Sequence, residues 1–151
     1  MYPPPLQSLI EHFESLSEGE RRDGLIDLAE TVGRHAPKPG EYFDFEQVRK
    51  DAECSDTVGI HVRREPDDRM HFAVSLGCGV QTLTKALTTV LCRGLNGATV
   101  DEVLNMPEDF IARIIGEELV RIRSRTVYYV LNRMKEATRA LQASKYSSRS
   151  A

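Results

Sequence analysis

Two cysteines with contrasting surroundings are the residues of this chain whose types and positions best suit chemistry. Cys54 lies in the polar, acidic segment 50–56, directly before a run with the alternation of a β-strand. Cys78 lies between Gly77 and Gly79, directly before an amphipathic helical pattern. The segment between the two cysteines has the pattern of a β-hairpin, which returns the chain to its starting edge. We therefore expect both sulfurs at one end of a sheet, in a position suited to thiol or metal chemistry.

The position of Cys78 predicts a reactive thiol, because only the thiolate attacks sulfur or binds a metal. The first N–H groups of the helix that follows carry a partial positive charge, which lowers the pKa of a nearby thiol. Gly77 and Gly79 permit a positive φ and leave the sulfur open to a partner.

Cys54 is predicted to be exposed, because its neighbours are polar. Asp51, Glu53 and Asp56 surround it with negative charge, which raises the pKa of a thiol. We therefore expect Cys54 to react slowly by itself and faster when a basic partner docks.

A metal site is the alternative use of the same residues. Cys54, Asp56 and Cys78 supply three potential ligands, whereas structural zinc takes four, usually sulfur and nitrogen. In the last third of the chain, the position where a fourth ligand would be sought holds Arg123-Ser124. The three ligands would leave water at the fourth position, so structural zinc is not expected.

The other cysteine and the histidines carry weaker signals. Cys92 ends an apolar helical pattern away from its main stripe, and we expect it to serve packing. His61 and His71 alternate with apolar residues along the two strands of the hairpin, which predicts that both face solvent. His12 and His35 stand in no recognisable pattern.

Bulk composition narrows the class of protein. The chain has 151 residues, of which 40% are hydrophobic and 28% charged, as in a globular domain. We expect one domain over residues 1–151, with a frayed Ser-rich tail at about 143–151. No apolar run reaches the roughly 18 residues that span a bilayer. Three cysteines are an odd number, which argues against a disulfide framework and for a reducing, cytoplasmic location.

The charge is unevenly distributed. Residues 1–110 carry 11 basic and 20 acidic side chains, whereas residues 111–151 carry 9 basic and 3 acidic ones. The arginines of the last helical segment are spread around it, without the interleaved aromatic residues of a nucleic-acid surface. We therefore expect no nucleic-acid partner and no membrane partner.

The order of predicted elements gives the fold class. Two helices come first, then a hairpin, then further helices, so we expect an α+β domain with a small antiparallel sheet of about three strands covered by helices. The predicted elements are helices over 6–15 and 17–32, a weakly indicated strand over 42–48, strands over 58–65 and 70–76, and helices from 80, over 100–104, over 108–115 and after Ser124.

Five segments stand out in this order: 6–13 and 25–28 in the two leading helices, 85–87 in the helix after the hairpin, 95–104 with the sequence LNGATVDEVL, and Arg123-Ser124 at the start of the last helix. Together they resemble the SufE family of sulfur-acceptor proteins, in which the segment at 95–104 reads YNG-x-(T/S)-P-E-E-(I/V)-L and the last helix starts with S-R-S. The likeness extends over about residues 6–142, and Cys54 falls where that family carries its acceptor cysteine.

The resemblance implies a role in iron–sulfur cluster assembly. A member of this family takes persulfide sulfur on its acceptor cysteine, here Cys54, from a pyridoxal-phosphate (PLP) cysteine desulfurase similar to SufS. It then passes the sulfur on to Fe–S scaffold proteins. Cys78 would relay or resolve the sulfur, and Arg123 would stabilise the thiolate or persulfide charge. The implied carrier binds no cofactor beyond its transient persulfide, and it stimulates a desulfurase rather than acting as a stand-alone enzyme.

Two departures from the SufE pattern favour an alternative with the same fold. The acceptor loop lacks the family's glycine before Cys54 and has Gly59 in place of its tryptophan, and Cys78 replaces an acidic residue. IscU/NifU-type scaffolds instead carry Cys-Gly-Asp and Gly-Cys-Gly at the two sites. This likeness implies an Fe–S cluster or zinc held by Cys54, Asp56 and Cys78. A third alternative is an interaction protein whose thiols have lost their role.

Overall fold

A three-stranded antiparallel sheet forms one layer of the fold. The computed structural model describes residues 2–50, 57–116 and 125–149. Strands β1 (Phe45–Lys50), β2 (Thr57–Arg64) and β3 (Met70–Leu76) lie in the order β1-β2-β3. Each strand pairs with the next in the chain, so the sheet needs no crossover connection.

Helices form the second layer. They are α1 (Pro4–Glu14), α2 (Glu18–Glu30), α3 (Thr82–Leu95), α4 (Val100–Leu104), α5 (Phe110–Ile115) and α6 (Arg125–Arg149), with a 3₁₀ turn at Val32–His35 after α2. Helix α3 packs against α1, α2, α6 and β3, and therefore lies at the centre of this layer.

Capping boxes fix the starts of two helices. The Ser17 hydroxyl accepts a hydrogen bond from the Glu20 N–H, and the Glu20 carboxylate accepts one from the Ser17 N–H. Thr99 and Glu102 form the same reciprocal pair at α4. Each box satisfies two backbone donors that the first turn of a helix leaves unpaired.

The alternation of β2 and β3 divides the sheet into two faces. Val58, Ile60 and Val62 lie on the inner face opposite Leu76, Val74 and Phe72 of β3, and helices cover this face. Burying each large apolar side chain of this kind contributes about 1.5–3 kcal/mol. The inner face and α3 together form the core, and this core sets the position of both sheet ends.

The α+β class and the three-stranded antiparallel sheet are confirmed. Strand β1 begins three positions later than the weak pattern over 42–48 indicated, and the last of the short helices begins at Phe110 rather than 108. Helix α6 continues to Arg149, into the Ser-rich segment at the end of the chain.

Candidate functional site

The connection that carries Cys54 and the segment that carries Cys78 both leave the sheet at the same end. Lys50, the last residue of β1, pairs with Thr57, the first residue of β2. The Gly77 N–H donates a hydrogen bond of 2.9 Å to the Thr57 carbonyl oxygen. Cys78 follows at once, and it is a free and exposed thiol. The segment that joins β1 to β2 and the start of the link to α3 therefore leave the sheet at the same end.

The backbone beside Cys78 agrees in part with expectation. Gly79 has a φ of 84°, the left-handed conformation that favours glycine, whereas Gly77 does not have a positive φ. Gln81 occupies the N-cap of α3. Cys78 therefore precedes the helix by most of a turn, rather than standing at its first N–H groups.

Three predicted site residues lie outside the described residues. Cys54 and Asp56 belong to the connection between Lys50 and Thr57, and Arg123 precedes the first residue of α6. Their predicted roles stay predictions. The structure describes what flanks the connection: two paired strand ends and the turn with Cys78.

Cys92 contrasts with Cys78 in its burial. It lies on the inner side of α3 with no exposed surface. Burial raises the pKa of the Cys92 thiol to about 12, because the charged thiolate loses its hydration there. The prediction that Cys92 serves packing is confirmed, and this thiol is unsuited to accept sulfur.

A buried arginine joins α6 to the strands on either side of the Cys54 connection. Arg133 is 2% exposed, and its guanidinium donates to the Val58 carbonyl at 2.8 Å and to the Gln47 carbonyl at 2.9 Å. Gln47 is in β1 and Val58 is in β2. The sequence analysis missed Arg133, although its spacing from Val130 and Ala137 places it on the apolar face of the helix.

A hydrogen-bonded group on the outer face of the sheet corrects one prediction. His61 was expected to be exposed but is 6% exposed. Its Nδ1 is 2.7 Å from Glu46 Oε2, and its Nε2 is 3.1 Å from Ser75 Oγ. The Phe43 ring also packs against it, with the centroids 5.4 Å apart. The prediction was wrong because Phe43, from before β1, covers a face that alternation assigns to solvent.

The described residues contain neither a metal-binding cluster nor a helix that could span a membrane. Within residues 2–50, 57–116 and 125–149, no three His, Cys, Asp or Glu side chains are arranged to hold a metal ion. None of the helices in those ranges combines the length and the apolar character needed to cross a bilayer.

These features define an α+β domain that exposes a cysteine beside the connection between its first two strands. The family model described as "SufE: Fe-S metabolism associated domain" matches residues 7–138. The chain therefore belongs to the SufE family, and that membership implies a role in iron–sulfur metabolism and involvement with the Fe–S assembly machinery.

Solved structures share the fold. The chain is similar to a hypothetical protein from Thermus thermophilus, with a TM-score of 0.77, 25% identity, and coverage of 95% of this chain and 99% of that one. It is also similar to the N-terminal part of a nitrogen-fixing NifU-like protein from Brucella abortus, with a TM-score of 0.60 and 19% identity over 80% of this chain and 92% of that one. The second likeness shows the fold alone. No curated protein matches the chain in sequence.

The packing around Gly59 accounts for one departure from the family's loop pattern. A Cβ atom at this position would lie 2.1 Å from Ser75 Oγ and 3.0 Å from His61 Nε2. The hydrogen-bonded pair of Ser75 and His61 therefore occupies the space that a side chain at residue 59 would need. A tryptophan does not fit beside this pair without displacing it.

Proposed function

We propose that this protein accepts persulfide sulfur on Cys54 from a PLP-dependent cysteine desulfurase and passes it to an Fe–S scaffold protein. It would do so as a single domain in the cytoplasm. The observation that carries the proposal is the SufE match over residues 7–138. That range contains Cys54, which the sequence resemblance equates with the family's acceptor cysteine. The carrier would need no bound cofactor of its own.

The proposed step is a thiol exchange on sulfur. The Cys54 thiolate attacks the terminal sulfur of the donor's persulfide, and the bond between that sulfur and the donor cysteine breaks. The donor leaves as a thiolate, and Cys54 becomes a persulfide. The transferred sulfur keeps its oxidation state, so the step needs no oxidant or reductant.

The geometry of the sheet end supports this step. Only a few residues separate Cys54 from the paired residues Lys50 and Thr57, so chain connectivity ties it to the end of the sheet that also carries Cys78. Arg133 fixes both flanking strands through their carbonyl oxygens. The strands at both ends of the Cys54 connection are therefore held to α6.

Cys78 and Arg123 have secondary parts in the proposal. Cys78 is exposed beside the Cys54 connection and would take the sulfur onward by attack on the terminal sulfur of the Cys54 persulfide, which leaves Cys54 as a thiolate. Attack on the inner sulfur would instead release the outer sulfur as hydrosulfide and join the two cysteines in a disulfide. Arg123 would stabilise the negative charge of the thiolate or persulfide through charge-assisted hydrogen bonds.

Intact-mass measurement after incubation with a cysteine desulfurase and cysteine tests the proposal. We expect wild type and Cys78→Ala to gain one sulfur atom, and Cys54→Ala to gain none. Cys92 serves as an internal control, because peptide mapping should find it unmodified. A sulfur that persists in Cys54→Ala, or that disappears only in Cys78→Ala, would contradict Cys54 as the acceptor.

A second candidate is a cluster scaffold that holds Fe–S cargo or zinc through Cys54, Asp56 and Cys78. The observation that favours it is the exposed thiol of Cys78 at the same sheet end as the segment that carries the other two ligands. Anaerobic reconstitution with iron and sulfide distinguishes the two candidates. A visible chromophore that Cys78→Ala abolishes favours the scaffold, whereas a colourless protein that still gains sulfur favours the carrier.

A further inference from the structure

A cavity on the helical side of the molecule lies apart from the exposed Cys78. It has a volume of about 620 Å³ and opens between α1, α2, the 3₁₀ turn and the last turn of α3. Small-molecule sites in proteins have volumes of about 300–1,000 Å³, so the space suits a ligand larger than a simple ion.

The floor of this cavity is apolar. Leu9 and Phe13 of α1 and Leu28 of α2 line it. Gly24 of α2 lets the two helices approach, because a Cβ atom there would lie 3.2 Å from the Phe13 ring. The floor offers a hydrocarbon surface built from two packed helices.

The rim is cationic. Arg34, His35 and Arg93 line it, and Asp27 is the carboxylate among the lining residues. In the part of the chain that the structure describes, neither guanidinium forms an ion pair or a side-chain hydrogen bond. Arginine is weakly hydrated and well suited to bidentate contacts with anions, so two unpaired guanidiniums at a cavity mouth favour an anionic group.

Both guanidiniums act on His35. The pKa of His35 is lowered, first by burial and then by Arg93 and Arg34, with smaller contributions from His71 and Lys38. Residues 1–110 carry 20 acidic and 11 basic side chains, so two guanidiniums at one cavity run against the overall charge of this part of the chain. An anion between them would be attracted by both.

The cavity and the exposed thiol lie at opposite ends of α3. Arg93 is in the last turn of that helix, whereas Cys78 precedes its first residue, Thr82. At a rise of about 1.5 Å per residue, Thr82 and Arg93 lie roughly 16 Å apart along the axis. A ligand in the cavity would therefore leave the cysteine end accessible.

We propose that this cavity binds a small amphipathic organic anion, with its apolar body on Leu9, Phe13 and Leu28 and its acidic group between Arg34 and Arg93. The ligand class is an aryl or alkyl carboxylate, sulfonate or phosphate. This inference does not depend on the sulfur-acceptor proposal, because it uses neither Cys54 nor Cys78.

A matched pair of fluorescent probes tests both halves of the proposed site. The anionic probe is 1-anilinonaphthalene-8-sulfonate, and its uncharged counterpart is N-phenyl-1-naphthylamine. We expect the anionic probe to bind with 1:1 stoichiometry and to shift the NMR amide signals of Leu28, Thr31 and Arg93. The double variant Arg34→Gln/Arg93→Gln should weaken it about 10–100-fold, as expected for the loss of charged hydrogen bonds. Affinity for the uncharged probe should stay unchanged.

The control for net charge is Arg22→Gln/Arg139→Gln, which removes two exposed arginines that do not line the cavity. Urea titration of each variant verifies that it is folded. An equal loss of affinity in this control would overturn the proposal, since the effect would then be general electrostatics. Shifts confined to other surfaces, an equal loss for both probes, or displacement by inorganic phosphate as effective as displacement by an organic anion would also overturn it.

Discussion

Helix α3 has a cysteine near each end, and the two thiols occupy opposite environments. Cys78, just before the helix, is exposed beside a left-handed glycine. Cys92, in the last turn, has no exposed surface and a pKa raised to about 12. The end before α3 is open around Gly79, whereas at the far end Cys92 faces the hydrophobic core. The availability of these two thiols therefore follows from what each one faces.

Alkylation rates should show the largest effect. In Cys54→Ala, which leaves two thiols, iodoacetamide should modify Cys78 more than about 1,000-fold faster than Cys92. Cys92 becomes accessible only when the core opens, and domains of this kind are stable by about 5–15 kcal/mol. Peptide mapping by mass spectrometry over time gives both rates. Similar rates under native conditions would remove the contrast between the two ends.

Packing at the enclosed end should tolerate no added methyl group. A Cβ at Gly94 would lie 2.9 Å from Leu6 Cβ and 3.3 Å from Leu6 Cα. Because α1 and α3 must separate to make room, Gly94→Ala should lower the free energy of unfolding by about 1–3 kcal/mol in urea titration. Gly19→Ala is the control, since nothing lies within 4 Å of its Cβ position. A loss as large in the control would show that helix geometry, not the α1–α3 contact, is responsible.

Alkaline pH should destabilise the protein through Cys92. Its folded pKa of about 12 exceeds the unfolded value of 9.0, so the folded state favours the neutral thiol. The stabilisation is complete below about pH 9 and is lost as pH rises towards 12. Near pH 10 the free energy of unfolding should already be lower by about 1–2 kcal/mol. Cys92→Ala should reduce this alkaline slope while leaving the slope between pH 7 and 8 unchanged. Identical slopes above pH 9 in both proteins would contradict the effect of burial.

The open end should show the smallest effect. Gly79 has open space around its Cβ position but a φ of 84°. Gly79→Ala should therefore cost about 1 kcal/mol through backbone strain alone. Iodoacetamide should modify Cys78 in Gly79→Ala at the same rate as in wild type, because the strain is relieved without burying the thiol. A loss as large as that of Gly94→Ala would mean that the turn before α3 is packed rather than open.

Local patterns predicted much of this fold correctly. The helices expected over 17–32 and 100–104 are α2 and α4, and each begins at a capping box formed by residues three positions apart. Alternation predicted β2 and β3 almost to the residue. These features depend on hydrogen bonds and side-chain periods within a few residues, so the sequence contains them directly.

Other predictions failed, or could not be made, because they depend on distant segments. Alternation predicted an exposed His61, but Phe43 covers it, and neither alternation nor spacing shows that Phe43 lies there. Arg133 was missed because its hydrogen-bond acceptors are backbone carbonyls of β1 and β2, more than 70 residues earlier. A carbonyl acceptor carries no side-chain signature in the sequence.

The sequence by itself determined the α+β class, the elements around the two sheet ends, the likeness to SufE and the choice of Cys54 and Cys78 as site residues. Tertiary structure alone decided how completely Cys92 is buried, that Arg133 joins α6 to the two strands that flank the Cys54 connection, and that Arg34 and Arg93 line one cavity. The physical reason is that burial and charge proximity are properties of surfaces brought together from separate segments. Local spacing specifies each segment but not what covers it.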